Sequence, residues 1–306
     1  MTLKKRAIIL GPIAIAAAVA AVAGGAVGLP PSAAPACSVF PPDNPWNQRV
    51  DGAPVLPGSA AFVAHLGADA PVFADFSMPY NTVPRSHPRV PVRFRYWRES
   101  DRGRYPIPKN PRVEQGTPDR HLILVDRNAC RLYELYDARR VRGRKSWRAG
   151  SGAIWSLRSN RLRPRGWTSA DAAGLPIFPG LARFDEVQHG EIDHALRFTA
   201  EGVRDTFVYP ARHSDGRSGS GNAPPMGTRF RLRADFDTSG FPPQARVILE
   251  GLKRYGMILA DSGPAFSLGG APSRGWNGED LDSLRRVRGG DLEAVDTSAL
   301  PRPGGP

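Results

Sequence analysis

A period of two in the apolar and polar positions dominates the middle of the chain and predicts strands. Residues 121–126 (HLILVD), a turn at Arg127, Asn128 and Ala129, and residues 130–137 (CRLYELYD) read as a hairpin. The same period puts Leu132, Glu134 and Tyr136 on one face and Tyr133, Leu135 and Asp137 on the other. An earlier strand is predicted over 90–97, and later ones over 192–199, 206–209, 229–233 and 257–260. Helical spacing is clearest over 242–255, where Pro242 and Pro243 suit the first turn and Gly256 closes the helix. A short helix is expected over 59–66, capped by Ser59 and ended by Gly67. Between these elements prolines and glycines recur every few residues, so the elements are short and joined by many turns.

This pattern predicts a mostly-β fold: one β-sandwich or jelly-roll-like domain with one amphipathic helix and an N-terminal arm. Residues 37–118 read as a Pro-rich arm and first strands packed on the core. Residues 119–297 read as the β-rich core, and 298–306 as a frayed tail. Residues 1–36 carry Lys4, Lys5 and Arg6, then an apolar stretch, then small residues at Ala34 and Ala36. That is the layout of a secretory signal peptide or, if uncleaved, an N-terminal anchor, and both export the remainder. Cys37 and Cys130 are the two cysteines, and in an exported chain they are expected to form one disulfide.

The formal net charge of +13 admits acidic partners, but the arginines are scattered with no block of like charge, so a nucleic-acid partner is not expected. No GxxxxGK[ST], GxGxxG, CxxC or HxxxH spacing occurs. No cofactor and no metal site is therefore expected. Ser151, in Gly-Ser-Gly, lacks the strand-to-helix elbow of a serine hydrolase.

Candidate chemistry rests on titratable groups in unusual positions. Glu134 shares a strand face with apolar neighbours, which desolvates its carboxyl and prepares it for general acid or base work; the alternative is a cross-strand partner for an arginine. Residues 166–179 (GWTSADAAGLPIFP) read as a structured loop in which Thr168 and Ser169 bond backbone and Asp171 is freer to serve a site. His194 is expected in mid-strand beside Leu196 and Phe198, either as a core histidine or near a reacting centre. His213 and Asp215 follow one predicted strand and Asp261 another, and adjacent strand ends can bring such groups together. Trp155, Trp167, Tyr209 and Trp276 are candidates to stack on sugar rings, with a core role as the alternative for each.

The strings GWTSADAAGLPIFPGLARFDEV, IDHALRFT, GFPPQARVILEGLKRYGMILAD and LVDRNACRLYELYDA resemble a family of exported soil-bacterial proteins, over nearly the whole mature chain. The resemblance implies export, one domain and association with extracellular polymers. It also implies an Asp where this chain has Ser156. The expected function is an exported glycoside hydrolase acting on a polysaccharide as a monomer, with no membrane contact beyond the N-terminal signal or anchor. Glu134 is expected as the acid, Asp171 as the second carboxylate and His194 near the reacting centre. Trp155, Trp167, Tyr209, Arg212, His213 and Asp261 are the expected substrate contacts. The alternatives are a polysaccharide lyase, in which arginine neutralises a uronate beside a string such as Tyr209-Pro210-Ala211-Arg212-His213, and a non-catalytic carbohydrate-binding or envelope protein.

Overall fold

The structure, a computed structural model, describes residues 37–304. The expected signal or anchor at 1–36 lies outside the described residues. In chain order the strands are β1 (Phe73–Asp75), β2 (Tyr80–Val83), β3 (Val90–Phe94), β4 (Arg104–Tyr105), β5 (Leu122–Asp126), β6 (Arg131–Leu135), β7 (Arg139–Arg140) and β8 (Trp147–Ala149). They continue as β9 (Gly152–Ser156), β10 (Leu196–Ala200), β11 (Arg204–Phe207), β12 (Pro225–Met226), β13 (Arg229–Leu232), β14 (Met257–Ser262), β15 (Ser267–Gly269) and β16 (Leu292–Ala294). The helices are α1 (Ser59–Leu66), α2 (Phe184–His189), α3 (Pro243–Arg254) and α4 (Gly278–Ser283).

The fold is mostly β, as the sequence pattern predicts. A six-stranded sheet runs β1-β15-β10-β14-β13-β16, a second sheet β2-β5-β6-β9 and a third β4-β3-β8-β7, while β11 pairs with β12. The sheets are mixed: β10 is parallel to β14 and antiparallel to β15, and β2 is parallel to β5. The predicted hairpin is β5-β6, in register from Leu122 opposite Leu135 to Asp126 opposite Arg131.

Apart from the exposed Arg131 at the start of β6, neither face of that hairpin meets water. Ile123, Val125 and Leu132 enter a large core with Ala245, Ile248, Leu249 and Leu252 of α3. Leu122, Leu124, Tyr133 and Leu135 enter a smaller core with Val92, Tyr105 and Trp147. The hairpin is thus a wall between two apolar regions, and truncating one of its leucines to alanine should cost about 2–5 kcal/mol. Glu134 falls on the large-core face and is fully buried.

The N-terminal arm is fastened to the body from both sides. Cys37 is bonded to Cys130 with 5.5 Å between Cα atoms, and the 93-residue separation stabilises the fold by about 4 kcal/mol on a chain-entropy basis. Arg229 Nη1 and Nη2 donate to the carbonyls of Pro45 and Gln48, and Arg231 Nη1 to those of Val50, Asp51 and Ala53. Arg229 has only carbonyl partners, and burial pulls its guanidinium down to about 9.

Four local expectations are corrected. The strand expected over 192–199 begins at Leu196, so His194 precedes it. The strand from Val90 stops at Phe94, and Trp97–Glu99 is a 3-10 turn. Ser59 does not cap α1: Gly58 holds the cap position, and Ser59 Oγ instead accepts the Ala294 amide, tying α1 to β16. The expected frayed tail is anchored through 304, with Gln48 Nε2 donating to Pro301 O and Tyr209 Oη to Pro303 O.

Candidate active site

The Gly166–Pro179 loop is built on its own hydroxyls. Ser169 Oγ donates toward the carbonyls of Asp171 and Leu175 and accepts the Asp171 amide, while Thr168 Oγ1 donates to Asp171 O. Nothing in the turn uses the Asp171 side chain. It points instead to Arg197 on β10, whose Nε and Nη2 donate to its two oxygens at 2.8 and 2.6 Å. Both side chains are buried, so the pair is a two-pronged ion pair in a desolvated setting. Room for the guanidinium comes from glycine: a Cβ on Gly269 would lie 2.8 Å from Arg197 Cγ.

Asp261 joins this pair because of a bulge. Between β10 and β14 the register shifts, so that Phe198 faces Leu259 but Thr199 faces Asp261. Residues opposite one another in a sheet share a face, so the extra residue moves Asp261 to the Arg197 side; an unbroken ladder would have placed it on the other. Its Oδ2 lies 3.5 Å from Arg197 Nη2, and its carboxyl bonds that of Asp171. Burial, then the Asp171 charge and the bond to it, raise the Asp261 carboxyl well above the usual carboxylate range. Two buried carboxyls in contact resist joint ionisation, which favours a proton on Asp261, the member without the two-pronged guanidinium. With its side chain 22% exposed, Asp261 is the member that reaches the surface.

That surface is a cleft of about 450 Å³. Tyr96, Tyr136, Ser151, Asp171, His213 and Asp261 line it, with Glu99, Asp119, Asp215 and Ser262 also present. His213 Nδ1 donates to Ala172 O at 2.7 Å, which fixes the ring. Ser262 Oγ donates to Asp215 Oδ1 at 2.7 Å, and the Asp215 charge adds to the rise at Asp261. The cleft therefore brings His213, Asp215 and Asp261 together, but not as ends of adjacent strands: Asp261 lies within β14, and β11 ends at Phe207 and pairs with β12. Arg163 secures one side of the site: it is buried and donates to Thr168 O, Asp101 Oδ2 and Glu99 O. A larger hollow of about 580 Å³, lined by residues including Tyr80, Arg112, Arg183 and Asp185, has no such carboxyl pair.

The other expected residues lie elsewhere. Glu134 is not in the cleft; its oxygens accept the amides of Ile177 and Phe178, with Oε1 at 3.0 and 2.8 Å. Burial raises its carboxyl to about 7 despite these two donors. His194 lines a separate hollow, donating from Nδ1 to Ala195 O and pairing through Nε2 with Glu186 at 3.2 Å. It precedes Thr199, the register partner of Asp261, by five residues, roughly 15 Å along an extended chain. Trp155 is a core residue, not a sugar platform. Trp167 is half-buried under the Arg163 guanidinium at 5.5 Å, and Trp276 packs between Phe76 and Phe184. Tyr209 and Arg212 line another cavity, and Ser156 is exposed at the end of β9, opposite Arg131.

Sequence reasoning missed Arg197, one arginine among many. The available signal was its place between Leu196 and Phe198 in a string with apolar residues on its core face. It also missed the buried His121–Glu114 pair behind the loop. His121 Nδ1 meets Glu114 Oε2 at 2.7 Å and Nε2 meets Ala170 O at 3.0 Å, so both ring nitrogens face acceptors. Although burial opposes both ions, their mutual bond raises His121 and holds Glu114 down to about 2.

Comparison with protein-family models, with curated proteins and with solved structures finds no match. Among the described residues no group of three or more His, Cys, Asp or Glu side chains is disposed to hold a metal ion. No helix among them is long and apolar enough to cross a membrane.

Proposed function

We propose that the protein is an exported carbohydrate-active hydrolase that cleaves glycosidic bonds by carboxyl acid and base chemistry in the Asp171–Asp261 cleft. The carrying observation is the pair of carboxyls gathered at Arg197, one of which, Asp261, opens onto a polar cleft. Asp261 is the proton donor to the leaving oxygen. Asp171 cannot be the nucleophile, since Arg197 occupies both its oxygens, and it acts by keeping Asp261 protonated. Asp215, exposed and oriented by Ser262, is the carboxylate that activates water. Tyr96 and Tyr136 offer rings to a sugar.

Export is supported by the signal-like N-terminal sequence and by the disulfide, which suits an oxidising compartment. The cleft lining contains five carboxyl residues and no lysine or arginine. Such a site favours a neutral or amine-bearing glycan over a uronate, whatever the net charge of the chain, and it lacks the arginine that a lyase needs to neutralise a uronate.

The test incubates residues 37–306 with neutral, amine-bearing and uronate polysaccharides and reads new reducing ends together with unsaturated-product absorbance, beside Asp261→Asn. Reducing ends without absorbance, abolished in the variant, are expected. Absorbance would replace the hydrolase by a lyase, and saturable binding without cleavage would replace it by a binding module.

A further inference from the structure

A separate cavity, of about 270 Å³, is lined by Arg165, Phe207, Tyr209, Ala211, Arg212 and Arg302. Three of its six residues are arginines and none is acidic. Arg165 lies over the Phe207 ring at 4.6 Å and Arg302 over the Tyr209 ring at 5.6 Å, so two aromatic faces hold two guanidinium groups at the cavity. Arg212 is largely buried and is fixed by one bond, from Nε to Arg163 O at 2.9 Å. Among the described residues none of the three forms an ion pair.

This clustering works against the chain itself. Burial, and then the neighbouring Arg165 charge, lower the Arg212 guanidinium from its usual range. Elsewhere in the molecule three buried arginines are matched by carboxylates, Arg197 by Asp171, Arg231 by Glu293 and Arg163 by Asp101, while Arg229 has three carbonyl acceptors where Arg212 has one. Here no carboxylate lines the cavity, Asp296 acting on Arg302 only from outside it, and planar guanidinium donors suit the oxygens of a tetrahedral oxyanion.

We propose that this cavity is an oxyanion-binding site that takes a phosphate group, free or as a sugar phosphate ester. The Tyr209 hydroxyl is engaged with Pro303 O, which holds the segment carrying Arg302 beside the cavity. The site is independent of the hydrolase reading, since no cleft carboxyl takes part in it.

Calorimetric titration of residues 37–306 at constant ionic strength, with inorganic phosphate in one arm and glucose 6-phosphate in the other, tests it. Saturable binding in either arm supports the site, and the stronger arm identifies the source. Arg165→Gln and Arg302→Gln, both exposed and so compatible with folding, should each weaken Kd about fivefold. Arg98→Gln, which removes an exposed guanidinium stacked on Trp97 elsewhere, should leave Kd unchanged. Linear, non-saturating heats in both arms, or equal weakening by Arg98→Gln, would overturn the proposal.

Discussion

Two carboxyls, Asp171 and Glu134, are both removed from water, and the protein treats them differently. Asp171 meets a guanidinium with both oxygens and passes the effect of its charge to Asp261 beside the cleft. Glu134 meets only two backbone amides and no cation, and its carboxyl rises to about 7. A raised carboxyl is therefore not sufficient to mark a catalytic acid. At Glu134 the proton answers a desolvation cost inside a wall between two cores. At Asp261 the raised carboxyl lies where the cleft opens.

The contrast breaks most severely if the cation is removed. Arg197→Met leaves the Asp171 charge buried without a cation, and urea unfolding at neutral pH should show a loss of about 3–5 kcal/mol. A loss below about 1 kcal/mol would mean that the ion pair does not set the state of the loop.

The pH dependence of stability tests the other carboxyl. Glu134 binds its proton more tightly folded, near 7, than unfolded, near 4.5, so stability falls as pH rises through that window, on the order of 3 kcal/mol for this group. His121, also raised, contributes stability that is complete in acid and lost as pH rises through its folded value. Glu114, held at about 2, acts in the opposite sense: its contribution is complete above about 4.5 and is lost as pH falls towards 2. Glu134→Gln should flatten the first of these slopes and leave the others. Urea midpoints for variant and parent at about pH 5 and about pH 8 that ran parallel would contradict this account.

Activity sharpens the comparison further. Asp261→Asn keeps a donor for Asp171 but loses the proton, so turnover should fall about a hundredfold with stability nearly unchanged. Glu134→Gln should leave turnover within about twofold, since its carboxyl is outside the cleft. The reverse pattern would return the acid to Glu134. The smallest effect is expected from Ser262→Ala, which frees Asp215 to rotate: about threefold in turnover and under 1 kcal/mol in stability.

Much of this was legible in the residues. The period of two through CRLYELYD assigned Glu134 to the face it occupies, and the small polar residues of GWTSADAAG announced a self-bonded loop with Asp171 left over for other work. That His213, Asp215 and Asp261 meet could also be anticipated, but not the route, since Asp261 lies within β14 and β11 pairs with β12. Three things could not. Periodicity does not reveal that both faces of a strand are covered, so the hairpin's second core was invisible. A bulge between Phe198 and Thr199 has no signature in IDHALRFT, and without it Asp261 reads as facing the wrong way. The partner of Asp171 lies 26 residues away, and local pattern says nothing about which arginine crosses that distance.

The hairpin wall also governs how the gene can change. A strand with one solvent face tolerates a one-residue deletion by letting the misplaced side chains reach water. In β6 such a deletion would exchange the contents of two interiors, sending Glu134 into the place of Tyr133 or Leu135 and an aromatic or aliphatic group against the amides of Ile177 and Phe178. Length variation in this part of the chain should therefore be confined to the turn at 127–129, where the Asp126 carboxylate already gathers the free amides of Asn128 and Ala129.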